Sequence, residues 1–476
     1  MKKNLPADFL WGAGVNAPLS EGAFDEKGRG KSTADMLTGG NKVFPRMISP
    51  EDEPGRRYPE RIGSDFYHRY DEDIALMSVC GVKAMGISIS WSRLYPTGEE
   101  KEPLWEGLEY YRGIFRLLKK RGIEPIVTLF ADDTPLNLAQ KQDGWAERTT
   151  VKLFLRYAKR MMIEFKYYVR YWITFEHINN LMCYTGAYRS AGIILESKVF
   201  TDKMTESEAI GAKRREALHN QLLANALTVA EGHRINSQNI IGCGFEAVCL
   251  YPAGTSPRDN FNCLEYMNYA NFYCADAVLR GCYGADIGGI DAYPSRIALG
   301  EDEEPLKKAT VDFIALRYFN SSILSADADR KKGFLTAFKA EATSQSAKGD
   351  YDPLGFRKIL NDYHFRYKKP ILISANGFFG RDIITEDGLI HDPERIEYIS
   401  SHLEEMKNAA GDGVDIMGYM YWSAIDMVNP ESGEVQNRSG LVYVNNTGES
   451  DFSRIPKDSY YWYKNYISSQ AVPQPE

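Results

Sequence analysis

Eight short, nearly all-apolar segments recur along the chain, separated by longer stretches that repeat with helical period. The segments fall at 9–15, 82–90, 124–130, 171–176, 240–247, 312–319, 370–377 and 416–426. Between them, the stretches 64–79, 104–121, 149–164 and 206–231 carry apolar residues at the i, i+3, i+4 spacing of amphipathic helices. Strands that are apolar on both faces belong to parallel sheets covered by helices. Eight such units predict an α/β protein with a closed (β/α)8 TIM barrel. No linker or low-complexity stretch divides the chain, so residues 1–476 are read as one barrel domain. The polar stretch 322–352 reads as a loop excursion before the seventh strand. Barrel chemistry sits at the C-terminal ends of the strands, so the functional residues are sought there.

Composition narrows the field by exclusion. Hydrophobic residues make up 43% and charged residues 26% of the 476 positions, ordinary values for a soluble protein with a large core. The formal charge is −8 and no Lys/Arg cluster appears, which argues against a nucleic-acid partner. No apolar run approaches a signal-peptide core or a membrane span, so no membrane partner is expected. The seven cysteines are odd in number and form no Cys-x-x-Cys pair. Cys80, Cys243 and Cys249 lie in apolar surroundings, as buried reduced thiols of a cytoplasmic protein do. Aromatic residues reach 12%, including 30 Tyr, which suits either a large core or platforms for sugar faces.

Several segments carry a closer signal. They are Phe9-Leu10-Trp11-Gly12-Ala13, Glu21-Gly22-Ala23, Tyr67-His68-Arg69-Tyr70 and the run from Gly86 to Arg93. Pro125 to Leu129, Trp172-Ile173-Thr174-Phe175, Asn376-Gly377, Tyr421-Trp422-Ser423 and Gly440 to Val444 complete the set. In this order and at these spacings the chain resembles the family 1 β-glycosidases over nearly its whole length. Ile178-Asn179-Asn180, Cys249-Leu250-Tyr251-Pro252 and Ile425-Asp426-Met427-Val428 resemble the 6-phospho-β-glucosidase branch. The resemblance implies a barrel fold, a sugar-like ligand and no cofactor; the oligomeric state stays open.

The same resemblance exposes a departure. Retaining glycosidases need two carboxyl groups about 5–5.5 Å apart, one as nucleophile and one as acid and base. The family pattern Thr-Phe-Asn-Glu reads Thr174-Phe175-Glu176-His177 here, so His177 stands at the acid position. The pattern Thr-Glu-Asn-Gly reads Ser374-Ala375-Asn376-Gly377, so Ala375 stands at the nucleophile position. Sugar-contacting positions change as well: Leu19, Ala131, Arg317 and Asn429 replace the family's glutamine, histidine, asparagine and glutamate. In the phosphate-binding part of the branch, Asn429, Asn437 and Ser439 stand for a serine, a lysine and a tyrosine. Glu21, Arg93, Trp422 and Asp426 are retained.

The replacements are not apolar filler. Glu176, His177 and Arg317 bring ionisable groups to the strand ends. One reading makes Arg317 an anion anchor, with Glu176 and His177 moving protons or touching ligand. The other lets Arg317 fill the space beside Ala375 and pair with Glu176, since buried charges need partners. Arg93 is expected to pair with Glu176 or to hold an anion, and Trp422 to floor the site. Tyr318, Asn376 and Asn429 are further ligand-contact candidates. Asp132, Asp133, Glu176 and His177 include a single histidine, so no metal is assigned. The leading reading is a pseudoglycosidase that binds a carbohydrate-like or anionic small molecule at the barrel mouth. The alternative is a glycoside-processing enzyme using Glu176, His177 and Arg317. A barrel kept for protein interaction is the third, and the charged replacements count against it.

Overall fold

A computed structural model describes residues 5–41, 43–49, 51–200, 206–283, 300–324, 338–339, 351–446 and 451–470. Eight parallel strands close into a barrel: β1 (Leu10–Val15), β2 (Ala84–Ser88), β3 (Glu124–Phe130) and β4 (Tyr171–Phe175), then β5 (Ile240–Glu246), β6 (Phe313–Arg317), β7 (Ile371–Asn376) and β8 (Ile416–Trp422). Each pairs with its sequence neighbours, and β1 closes the ring against β8 in the register Leu10 to Gly418 and Gly14 to Trp422. Helices follow the strands, among them Phe66–Cys80, Trp105–Lys120, Thr149–Glu164, Glu208–Ile235, Pro353–Tyr367, Pro393–Asp412 and Asp458–Gln470. The predicted (β/α)8 architecture holds, and the helix at 149–164 matches on both bounds. Strands end earlier than the apolar pattern does because residues such as Glu176, Tyr318 and Ser423 leave the ladder to build the rim.

One expectation is corrected. The segment from Ser322 is not simply a loop: Ser321–Leu324 is a strand parallel to Cys249–Tyr251 and antiparallel to Phe338–Lys339. The stretches 325–337 and 340–350 lie outside the described residues.

Two apolar layers hold the barrel. Ala84, Ile126, Ile173, Phe313, Ala315, Leu372 and Met420 pack within the ring, and a larger layer lies between strands and helices. The seven cysteines are free, five of them buried. Among the described residues no helix is long and apolar enough to cross a membrane.

The chain after β8 is fastened by charge. Asp426, fully buried, accepts from Arg438 Nη1 at 3.0 Å, Lys457 Nζ at 2.7 Å and the Gly440 amide at 2.8 Å. Lys457 also pairs with Asp382, which pairs with Arg395. Burial alone would raise the Asp382 carboxyl, but Lys457 and Arg395 outweigh it and hold it below its ordinary value. Breaking a buried pair from one side typically costs about 3–5 kcal/mol, because the partner charge is left stranded. Asp426→Ala should therefore lower the urea unfolding free energy by about that amount. A loss below about 1 kcal/mol, the scale of an exposed pair, would show that this network does not hold the final helix to the barrel.

Candidate functional site

The C-terminal ends of the strands surround a cleft with about 460 Å³ of empty space, its open mouth included. Asn16, Leu19, Glu60, Ala131, Asp132, Glu176, His177, Arg189, Arg317 and Trp422 are among its lining residues. Strand alternation aims several of them. Arg317 shares the inward face of β6 with Phe313 and Ala315, and Trp422 shares that of β8 with Met420. Two glycines let neighbouring strands come close enough. A Cβ at Gly244 would collide with the carbonyl of Glu176, and one at Gly377 with the carbonyl of Trp422. Both rim residues therefore rest on backbone that has no side chain to spare.

Arg317 is buried, and its charge is answered twice. Its Nη1 donates to Glu176 Oε1, and its Nε donates to Glu246 Oε2 at 2.8 Å. The second oxygen of Glu176 accepts from Asn16 Nδ2 at 2.6 Å, so both of its oxygens are engaged. The guanidinium also lies 5.0 Å from the centre of the Trp422 ring, within cation–π range. Burial disfavours its charge, yet Glu176 and Glu246 hold it above the ordinary guanidinium value.

A second cluster faces it across the cavity. His177 Nε2 meets Asp132 Oδ2 at 2.8 Å, and the other Asp132 oxygen accepts from Ser190 Oγ at 2.7 Å. Arg189 Nη2 reaches Asp132 Oδ2 at 3.3 Å. Burial works to raise the Asp132 carboxyl, but His177, Arg189 and Ser190 prevail and hold it well below the usual carboxylate range. Asp132 adopts a left-handed φ of 60°, a conformation aspartate tolerates better than most residues. Among the described residues His177 Nδ1, which is buried, has no hydrogen-bond partner. On the rim, Glu60 is gripped through both oxygens by Arg46 Nη2, at 2.5 and 2.7 Å.

A second pocket, with about 430 Å³ of empty space counted together with its open side, is lined by the inward residues Gly14, Gly86, Ser88, Thr128, Ser374 and Met420 among others. Asn16, Glu176 and Trp422 line both cavities and form the partition between them.

The structure brings Glu176, His177, Arg317 and Trp422 together, as the sequence reading requires, and separates the other candidates from them. Arg93 does not reach Glu176: its Nε donates to Glu21 at 2.8 Å and its Nη2 to the Gly22 carbonyl, over the Tyr67 ring. Tyr318 follows the inward Arg317, so it points outward, where its hydroxyl meets Ser321 and the Asp352 carbonyl. Asn376 is fully buried and bonded to Tyr318, Tyr398 and Tyr419. Asn429 folds its side chain back onto the Glu431 and Ser432 amides. Ala375 is 1% exposed and pairs in register with Arg317, outside the lining of either cavity. Asp133 accepts from the Trp91 amide at 2.8 Å, and burial raises its carboxyl well above the ordinary range.

Asn16, Glu60, Arg189 and Glu246 are site residues the sequence reading did not single out. For two of them alternation was a usable signal: counting inward positions along Leu10, Gly12, Gly14 and Ile240, Gly242, Gly244 arrives at Asn16 and Glu246.

Comparison with known proteins agrees with this geometry. Residues 1–472 match the model of Glycosyl hydrolase family 1. The chain is 36% identical to the aryl-phospho-β-D-glucosidase BglA of Bacillus subtilis, across 98% of this chain and 99% of that protein. It is 35% identical to the 6-phospho-β-glucosidase AscB of Escherichia coli, across 98% of each. Among solved structures, a family 1 β-glucosidase from Thermotoga maritima superposes with a TM-score of 0.83 at 25% identity, across 99% of both chains. With a matching barrel and a family match that spans nearly every residue, the chain belongs to glycosyl hydrolase family 1.

Proposed function

We propose that this family 1 member binds a carbohydrate-like or anionic small molecule at the barrel mouth and does not cleave glycosides by the retaining route. The observation that carries the reading is the seating of Arg317 between Glu176 and Glu246. A retaining nucleophile needs a carboxylate oxygen free to approach the anomeric carbon. Both oxygens of Glu176 are committed to Arg317 and Asn16. Asp132 is committed to His177 and Ser190. Ala375 offers no nucleophile at all. The names of the relatives, aryl-phospho- and 6-phospho-β-glucosidases, support a sugar carrying an anionic group as the ligand class. The free, mostly buried thiols support a reducing, cytoplasmic setting.

A second reading rests on one specific feature. Asp132 orients the His177 imidazole, the arrangement by which a carboxylate prepares a histidine for general acid–base work. Glycoside processing by His177 without a covalent intermediate is that alternative.

Aryl β-glucosides and their 6-phosphates should show no turnover above background in a chromogenic assay. General acid–base assistance alone typically contributes about 10²–10⁴ in rate, so its loss is easily seen. Turnover near that of ordinary family members, abolished by His177→Ala, would overturn the binding reading and establish the second one.

Ala375→Glu alone should not produce a good glycosidase. The introduced carboxylate would stand in strand register with Arg317 and be drawn into its ion pairs. The comparison is a variant that also carries His177→Glu and Glu176→Asn. Turnover in the single variant within about tenfold of an ordinary family member would mean that Arg317 does not obstruct the chemistry, a barrier difference of about 1.4 kcal/mol.

A further inference from the structure

Among the described residues Arg317 and Arg189 line the cavity, Arg46 holds its lining residue Glu60 and Arg93 pairs with Glu21; three of these four are spent. Arg93 is held by Glu21 and the Gly22 carbonyl. Arg46 is held by Glu60 and by the carbonyls of Thr38 and Pro430. Arg317 is held by Glu176 and Glu246. Arg189, at the end of the short helix Tyr184–Arg189, differs. It lines the cavity with its side chain 19% exposed, and among the described residues its side chain has one polar contact, the 3.3 Å approach to Asp132.

We propose that Arg189 is the ligand anchor of this site and that it selects a sugar-like molecule bearing a carboxylate or phosphate; this rests on the binding function argued above. A guanidinium presents a planar fork that matches either anion through two parallel hydrogen bonds. Four of its five N–H donors remain uncommitted. Engaging a ligand takes from Asp132 only the longest of its three contacts. Its shorter bonds, to His177 at 2.8 Å and Ser190 at 2.7 Å, keep both carboxylate oxygens satisfied when Arg189 turns to a ligand. Arg317 lacks that freedom, since turning away would break two ion pairs at once.

The position also sets an orientation. Asp132 follows β3 and Arg317 ends β6, three strands apart around the ring; Arg189 goes with Asp132 and His177, and Trp422 with Arg317. An anionic group held by Arg189 leaves the rest of the cavity, Trp422 and Glu176 included, for the remainder of the ligand. Asn429 and Ser439 are turned to other work: Asn429 caps its own turn, and Ser439 Oγ lies 2.8 Å from Ser423 Oγ. With Asn429 and Ser439 so engaged, the proposal puts the anion on the loop after β4, beside Arg189.

The test is isothermal titration of the full chain with glucuronate, gluconate, glucose 6-phosphate, glucose and inorganic phosphate, on the native protein and on Arg189→Gln, Arg189→Lys and Arg317→Gln. The anionic sugars should bind the native chain, and Arg189→Gln should weaken them at least tenfold while leaving glucose unchanged. Arg189→Lys, which keeps the charge and loses the fork, should fall between the two. Preference for glucuronate and gluconate over glucose 6-phosphate identifies a carboxylate ligand, and the reverse order a phosphate; inorganic phosphate binding as tightly as glucose 6-phosphate would remove the sugar from the recognition and overturn the proposal. Equal affinity of anionic sugars for native and Arg189→Gln protein overturns the anchor and leaves the binding function standing. Loss of anion binding in Arg317→Gln but not in Arg189→Gln returns the role to Arg317. Should no member of the panel bind the native chain, both the anchor and the binding function fall. Because Arg189 is partly exposed on a rim helix, Arg189→Gln should fold with an unliganded Tm close to native; if it does not, the Arg189→Lys affinities decide.

Discussion

A guanidinium buried at the mouth of a barrel must be neutralised where it sits, and that requirement organises this site. Arg317 draws Glu176 from the end of β4 and Glu246 from the end of β5, and Glu176 in turn holds Asn16 beyond β1. Four strand ends are thereby joined by side chains as well as by their ladder. Trp422 closes the assembly by offering its ring to the cation. Removing Arg317 takes a partner from Glu176 and Glu246 at once, so the cluster is coupled and not a set of separate pairs.

This division of labour gives the mouth two unlike walls. On one, charge is consumed internally and the surface presented to a ligand is largely a tryptophan edge and a saturated ion pair. On the other, Asp132 keeps His177 in place while Arg189 still has donors to give. The strand ends direct a salt bridge and a histidine–aspartate pair into this space. Fold similarity carries the family, whereas any reaction has to be argued from these side chains.

How far the sequence could be read depended on what each residue answers to. Strands were legible because burial on both faces leaves an apolar run, and helices because one face repeats. The convergence of Glu176, His177, Arg317 and Trp422 followed from their places at strand ends. Tyr318 and Asn376 lie away from the cavity for two different reasons. Successive side chains point to opposite faces, which turns Tyr318 outward, whereas register shifts in β7 between Ile373 and Asn376 accompany the turning of Asn376 to Tyr318, Tyr398 and Tyr419. Tyr318 comes one residue after an inward position and so belongs to the outer layer. Arg93 was misassigned because its partner Glu21 lies 72 residues away and competes for it more closely than Glu176 does. Arg189 carried no signal, since a rim residue on a short helix belongs to no strand pattern and only the folded chain shows what it faces.

The second pocket changes what kind of floor the site has. Barrel interiors are usually filled in layers, which fixes the depth of anything resting on them. Here the layer of Asn16, Glu176 and Trp422 has free volume on both sides. A floor backed by solid packing has its depth set by the core; this one has its depth set by the bonds that hold Glu176 to Arg317 and Asn16. The depth of this pocket is therefore governed by side-chain chemistry, and a substitution that releases Glu176 would change it without rebuilding the scaffold beneath.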